Sequence, residues 1–88
     1  MKMLIVVLRD ESAEAVLEAL IDESFGVTRI ATTGGFFRRG NTTLIIGTED
    51  DRVDEAFKVI DQHAGEPEDP THRRATAFVL DVAEFKKL

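Results

Sequence analysis

Two stretches of helical periodicity, each bracketed by short strand-forming runs, constrain this chain more than any other feature. Lys2 to Arg9 contains the unbroken apolar run Met3-Leu4-Ile5-Val6-Val7-Leu8. Such a run suits a strand central to a sheet, and it is too short to span a membrane or to form the apolar region of a signal peptide. Asp10 is a candidate N-cap. A helix is expected from there to about Ser24, because Ala13, Val16, Leu17, Leu20 and Ile21 recur at helical spacing and leave Glu11, Glu14, Glu18 and Asp22 towards water. Gly26 is the expected helix stop. Val27 to Thr33 reads as a second strand that Gly34-Gly35 breaks. Phe36 to Gly40 reads as a loop or bulged extension, and Asn41 to Thr48 as a third strand completing a hairpin. A second helix is expected from about Asp50 to His63, with Val53, Ala56, Phe57 and Ile60 inward. Ala64 to His72 carries both prolines and reads as a linker. Arg74 to Val82 reads as the fourth strand, followed by a tail, Ala83 to Leu88.

The order β-α-β-β-α-β implies an α+β class and the ferredoxin-like, split βαβ layout, an antiparallel sheet with both helices on one face. Each strand–helix–strand half runs its two strands parallel. The face away from the helices must be polar or covered, and Val6, Ile30, Ile45 and Phe78 are candidates for it. The 88 residues are read as a single domain, 1–88, with a modest core. An apolar second face on so small a domain calls for association.

There is no cysteine, so a disulfide framework, a thiolate nucleophile and a zinc ribbon are excluded. With no membrane span, the protein is read as cytoplasmic. The net charge of −6 argues against binding a nucleic-acid polymer through a basic surface. Charge distribution is more informative. All 17 acidic residues lie within 10–23 or 49–84, whereas 24–48 contain none and carry Arg29, Arg38 and Arg39. This is either a pocket for an anion or the ordinary scarcity of acids in strands and turns.

Within that stretch, Thr32-Thr33-Gly34-Gly35 offers hydroxyls and unobstructed backbone N–H groups, the makings of a phosphate nest. Phe36 and Phe37 follow. Neighbouring side chains on an extended backbone point to opposite sides, so one ring can anchor while the other presents a face to a base. Arg38 and Arg39 add charge for phosphates, and the Asn41 amide can read a base edge. Taken singly, each has a plainer reading: a glycine turn, core or subunit-contact rings, solvated arginines. Their combination favours a nucleotide-like ligand.

The run Ala31-Thr32-Thr33-Gly34-Gly35-Phe36, then Gly40-Asn41-Thr42-Thr43 and Gly47, resembles the PII-like cyclic di-AMP receptor family, as do the Met1-Lys2-Met3 opening and Asp51-Arg52-Val53-Asp54-Glu55. The resemblance covers residues 1 to about 63, and 75–85 more loosely. It implies a homotrimer with cyclic di-AMP bound at clefts between subunits and loop rearrangements that signal to a protein target. Binding positions carried over by it are Thr28, Phe36, Phe37, Asn41 and Gly47; Thr32, Gly35 and Arg38 join them from the residue chemistry. Three features depart from the family pattern. Gly26 stands where some members carry a basic residue. Lys87 stands where a polar residue such as Gln would help close the pocket. The 64–72 connection is much shorter than the family's usual long loop, and Arg73 and Arg74 after it are candidates to reach a phosphate instead.

Catalysis lacks a basis: no Ser-His-Asp or Cys-His arrangement is visible, and the carboxylates lie mostly on helix exteriors. His63 closes a helix and His72 sits in the linker with Glu66, Glu68 and Asp69. A hydrated acidic loop is the plainer reading of that cluster than a metal site. Two function classes remain. One is a nucleotide-sensing, non-enzymatic signal protein without metal or catalytic residues, its ligand cyclic di-AMP. The other is a trimer of the same fold that binds another adenine nucleotide or only a protein partner.

Overall fold

The computed structural model describes residues 1–30, 40–65 and 75–88. Strand β1 is Lys2–Arg9, helix α1 Asp10–Asp22, strand β2 Gly26–Ile30 and strand β3 Asn41–Thr48. A single 3-10 turn, Asp50–Arg52, leads into helix α2, Val53–His63, and strand β4 is Ala75–Asp81. The sheet order is β2-β3-β1-β4, and every neighbouring pair is antiparallel. The parallel strands of each half, β1 with β2 and β3 with β4, are therefore separated by a strand from the other half. This is the α+β, ferredoxin-like arrangement expected from the element order. Ala31–Thr33 and Arg74, expected at strand ends, lie outside the described residues, as do Phe36 to Arg39 of the expected loop and most of the linker.

The helix-facing side of the sheet forms the core. Leu4, Val6 and Leu8 of β1 alternate inward and meet Leu44 and Ile46 of β3 through the pairs Leu4↔Ile46 and Val6↔Leu44. Val16 and Leu20 of α1 and Ala56, Val59 and Ile60 of α2 close over them. Val6 is fully buried here, which corrects its expected place on the opposite face. A run apolar on both sides leaves the phase of β1 undetermined. Pairing with Leu44 determines it, and Ile30, Ile45 and Phe78 fall on the open face by strand alternation as expected.

Two local expectations change for identifiable reasons. Asp10 is the first helical residue rather than the N-cap, a position held by Arg9. Its carboxylate instead accepts from the Thr42 hydroxyl, and its N–H donates to the Gly40 carbonyl at 2.7 Å. The start of α1 is thereby tied to the start of β3, where Gly40 turns the chain at φ +89°.

At the other end of α1 the left-handed residue is Ser24, φ 67°, and Gly26 already belongs to β2. Phe25 N–H donates to Leu20 O at 2.9 Å and Ser24 N–H to Ile21 O at 2.9 Å, the bonding pattern of a Schellman stop. Buried Phe25 then anchors the exit, with the Arg52 guanidinium 4.1 Å from its ring centroid. A serine in this conformation is strained where glycine is not. Ser24→Gly is therefore expected to raise unfolding stability by about 0.5–1 kcal/mol, read as a higher urea midpoint with an unchanged slope. A lowered midpoint would mean that the Ser24 side chain, not its backbone, matters there.

Candidate functional site

The open face of the sheet is built in rows that cross the strands. One row runs Gly26, Gly47, Met3, Leu80 and the next runs Thr28, Ile45, Ile5, Phe78. Adjacent strands lie about 5 Å apart, so the first row places two residues without side chains next to each other across the outer β2–β3 ladder. Neither glycine has a positive φ, and a Cβ added to either would meet no heavy atom within 4 Å. Neither backbone conformation nor packing within the protomer therefore demands glycine at these two positions. What the pair creates is a floor of bare backbone.

Over that floor lies a cleft of about 650 Å³, within the range of small-ligand sites. Thr28 and Ile45 flank the glycines, and Met1 and Met3 form another side. The C-terminal segment after β4 returns along the opening with Val82, Glu84, Phe85 and Lys87. Its course is started by the Val82 N–H, which donates to the Met1 carbonyl at 3.1 Å. The cleft thus offers a hydroxyl, an aromatic ring, one carboxylate and one ammonium around an apolar floor.

Charged groups on the segments that flank the cleft's strands are ion-paired. Arg52 donates to both carboxylate oxygens of Glu55, at 3.0 and 3.1 Å, and to Glu23 O at 2.8 Å, bracing the turn that leads into Gly26. Hydrogen bonding to Glu55 holds the guanidinium above its ordinary pKa, and the same bond holds the Glu55 carboxyl below the usual range. Lys2 donates to Asp81, and that hydrogen bond raises the ammonium pKa. Asp50 is held low by its hydrogen bond from the Met1 α-ammonium, 2.9 Å away.

Of the residues expected to bind ligand, Thr28 and Gly47 line this one cleft, together with Gly26 and Lys87, two of the three departures from the family pattern. Asn41 does not. It shares the open face but sits six residues along β3 from Gly47, roughly 20 Å away, opposite Arg9. Thr32, Gly35, Phe36, Phe37 and Arg38 lie outside the described residues, and so do His72, Arg73 and Arg74. Phe85 was missed by sequence reasoning. Its only signal is an aromatic residue standing alone in the charged segment Glu84-Phe85-Lys86-Lys87.

A smaller hollow of about 270 Å³ lies between α2 and β4, lined by apolar side chains and Asp61. It contains none of the residues expected to bind ligand. His63 ends α2, and its Nδ1 lies 2.9 Å from the Val59 carbonyl oxygen. Among the described residues no group of three or more His, Asp or Glu side chains is placed to hold a metal ion, and no helix is long and apolar enough to cross a membrane.

Comparison with known proteins bears on this site. A family model described as a cyclic-di-AMP receptor matches residues 1–71. A crystal structure of a functionally unknown protein from Pediococcus pentosaceus ATCC 25745 is similar, with a TM-score of 0.79 and 33% identity over 99% of this chain and 96% of that one.

Proposed function

We propose that this chain, which belongs to the cyclic-di-AMP receptor family, binds cyclic di-AMP in the cleft over Gly26 and Gly47. In this reading it acts as a nucleotide-sensing signal protein without catalytic turnover. One observation carries the assignment to this cleft: two glycines paired across the sheet, required neither by their backbone angles nor by packing in the protomer, leave a floor on which a planar base can lie. Thr28 beside them supplies a hydroxyl for a base edge or a phosphate oxygen.

Asn41 reaches the same ligand from another subunit of a homotrimer. Its distance along β3 from Gly47 makes a junction between protomers the natural way to bring Thr28, Gly47 and Asn41 to one molecule. The exposed apolar side chains of the open face support such an assembly, Phe78 being 56% and Leu80 41% exposed. Thr32, Gly35, Phe36, Phe37 and Arg38 complete the site in this proposal, and rearrangement of their segment on binding signals to a protein target. The whole works as a single cytoplasmic domain, 1–88.

Isothermal calorimetry of the purified chain tests the ligand. Saturable binding of cyclic di-AMP, with ATP and AMP binding at least ~100-fold more weakly (about 2.7 kcal/mol), is the expected result. Preference for a mononucleotide, or no heat with any of the three, would overturn it. Light scattering of the same sample is expected to give three times the protomer mass.

A further inference from the structure

Asn41 opens β3, and the residues on either side of it are both bonded to the first residue of α1. The Gly40 carbonyl accepts from the Asp10 N–H at 2.7 Å, and the Thr42 hydroxyl donates to the Asp10 carboxylate. Alternation along β3 puts Thr42 on the helix-facing side, opposite Leu8 and only 4% exposed, and Asn41 on the open face. Gly40 lies beyond the last pair of the β1–β3 ladder, Arg9↔Asn41, and among the described residues pairing with β2 ends at Ile30↔Thr43. The chain on either side of Asn41 is therefore held by Asp10 where the ladders thin out. The same turn of α1 makes a second tether with a different destination. The Ser12 hydroxyl donates to the carbonyl of Ala64, the residue that ends α2, at 2.8 Å.

We infer that Asp10 is a positioning residue for the ligand, acting through Asn41 rather than by contact. Its carboxylate sets the direction in which the Asn41 amide projects from the open face. The inference rests on the reading above, in which Asn41 reaches the dinucleotide at a junction between protomers. A residue gripped on both flanks has its backbone ordered before the ligand arrives, so the ordering cost is not charged to binding. A carboxylate acceptor makes the grip on Thr42 stronger than a neutral one would, and a negative side chain is favoured in the first turn of a helix.

Calorimetric titration of the full chain with cyclic di-AMP tests this, with urea unfolding of each variant alongside. Asp10→Ala is expected to weaken binding roughly tenfold. Asp10→Asn keeps an oxygen that accepts from Thr42 and is expected to stay within about threefold of wild type. In an Asn41→Ala background, Asp10→Ala is expected to cost nothing further, because the residue it positions has gone. Ser12→Ala is expected to lower the urea midpoint and leave affinity unchanged. Should Asp10→Ala fail to fold, Thr42→Val removes the same bond from its other end and is expected to behave alike. Equal weakening in both backgrounds, or Asp10→Asn as weak as Asp10→Ala, overturns the inference in favour of a merely structural role. Undiminished binding by Asp10→Ala also overturns it, and so does undiminished binding by Asn41→Ala, while the cleft over Gly26 and Gly47 stands. Wild-type protein that binds no cyclic di-AMP overturns the reading and the inference together.

Discussion

Gly47→Leu is expected to reduce cyclic di-AMP affinity by at least ~100-fold, about 2.7 kcal/mol, with almost no loss of folding stability. Gly47 sits between Gly26 and Met3 on the open face, at the centre of the bare floor. A Cβ there meets nothing within 4 Å, so the protomer has room for a larger side chain. Gly47 also lacks a positive φ, so the backbone accepts any residue. Glycine is a poor strand residue, and its replacement by a side chain that packs on the pleat does not weaken the strand. A leucine would instead occupy the space the ligand requires. Urea unfolding, calorimetry and light scattering on one sample separate the possibilities. The expected pattern is an unchanged midpoint, lost binding and a preserved assembly. Binding at wild-type strength would mean that the ligand does not lie on this floor. A shift to monomer would mean that Gly47 serves subunit contact.

Leu44→Ala should do the reverse, removing stability first. Leu44 is fully buried in the central strand β3, paired with Val6, within the cluster that also holds Leu4, Val16 and Leu20. Removing a side chain from such a site costs the transfer of its atoms and the cavity left behind, roughly 2–5 kcal/mol. The whole fold of a chain this size has on the order of 4–13 kcal/mol. The loss therefore takes a large share of the total, and the melting temperature is expected to fall by on the order of 15 °C. The urea slope is expected to stay unchanged if the transition remains two-state. A cost below about 1 kcal/mol would show that the site collapses freely and that the helices do not hold Leu44 as described.

The contrast between these two positions also explains what could be read from the residues alone. β1, β3 and both helices were legible because continuous apolar runs and a 3.6-residue period are strong signals, and Lys2–Arg9 and Asn41–Thr48 form as expected. The burial phase was not legible. In Met3-Leu4-Ile5-Val6-Val7-Leu8 both alternating sets are apolar, so only pairing with Leu44 and Ile46 decides that Val6 faces the helices. Gly26 attracted the role of helix stop because glycine favours that conformation. The turn formed two residues earlier at Ser24, where burial of Phe25 outweighs the strain.

The cleft was half legible. Thr28 and Gly47 were recognisable from the family resemblance. Their convergence with Gly26 depends on the register of β2 against β3, which no local pattern encodes. The tail was hidden for a related reason: Phe85 and Lys87 follow the last strand and gain meaning only because β4 pairs with β1 and returns the chain beside Met1 and Met3.

The central claim is that cyclic di-AMP lies on the backbone of Gly26 and Gly47. A crystal structure of the protein with the dinucleotide tests it most directly. The expected result is ligand density over those two glycines, with a base or phosphate within hydrogen-bond reach of the Thr28 hydroxyl and Phe85 against the ring. Ligand density elsewhere, with this cleft empty at saturating dinucleotide, would contradict it.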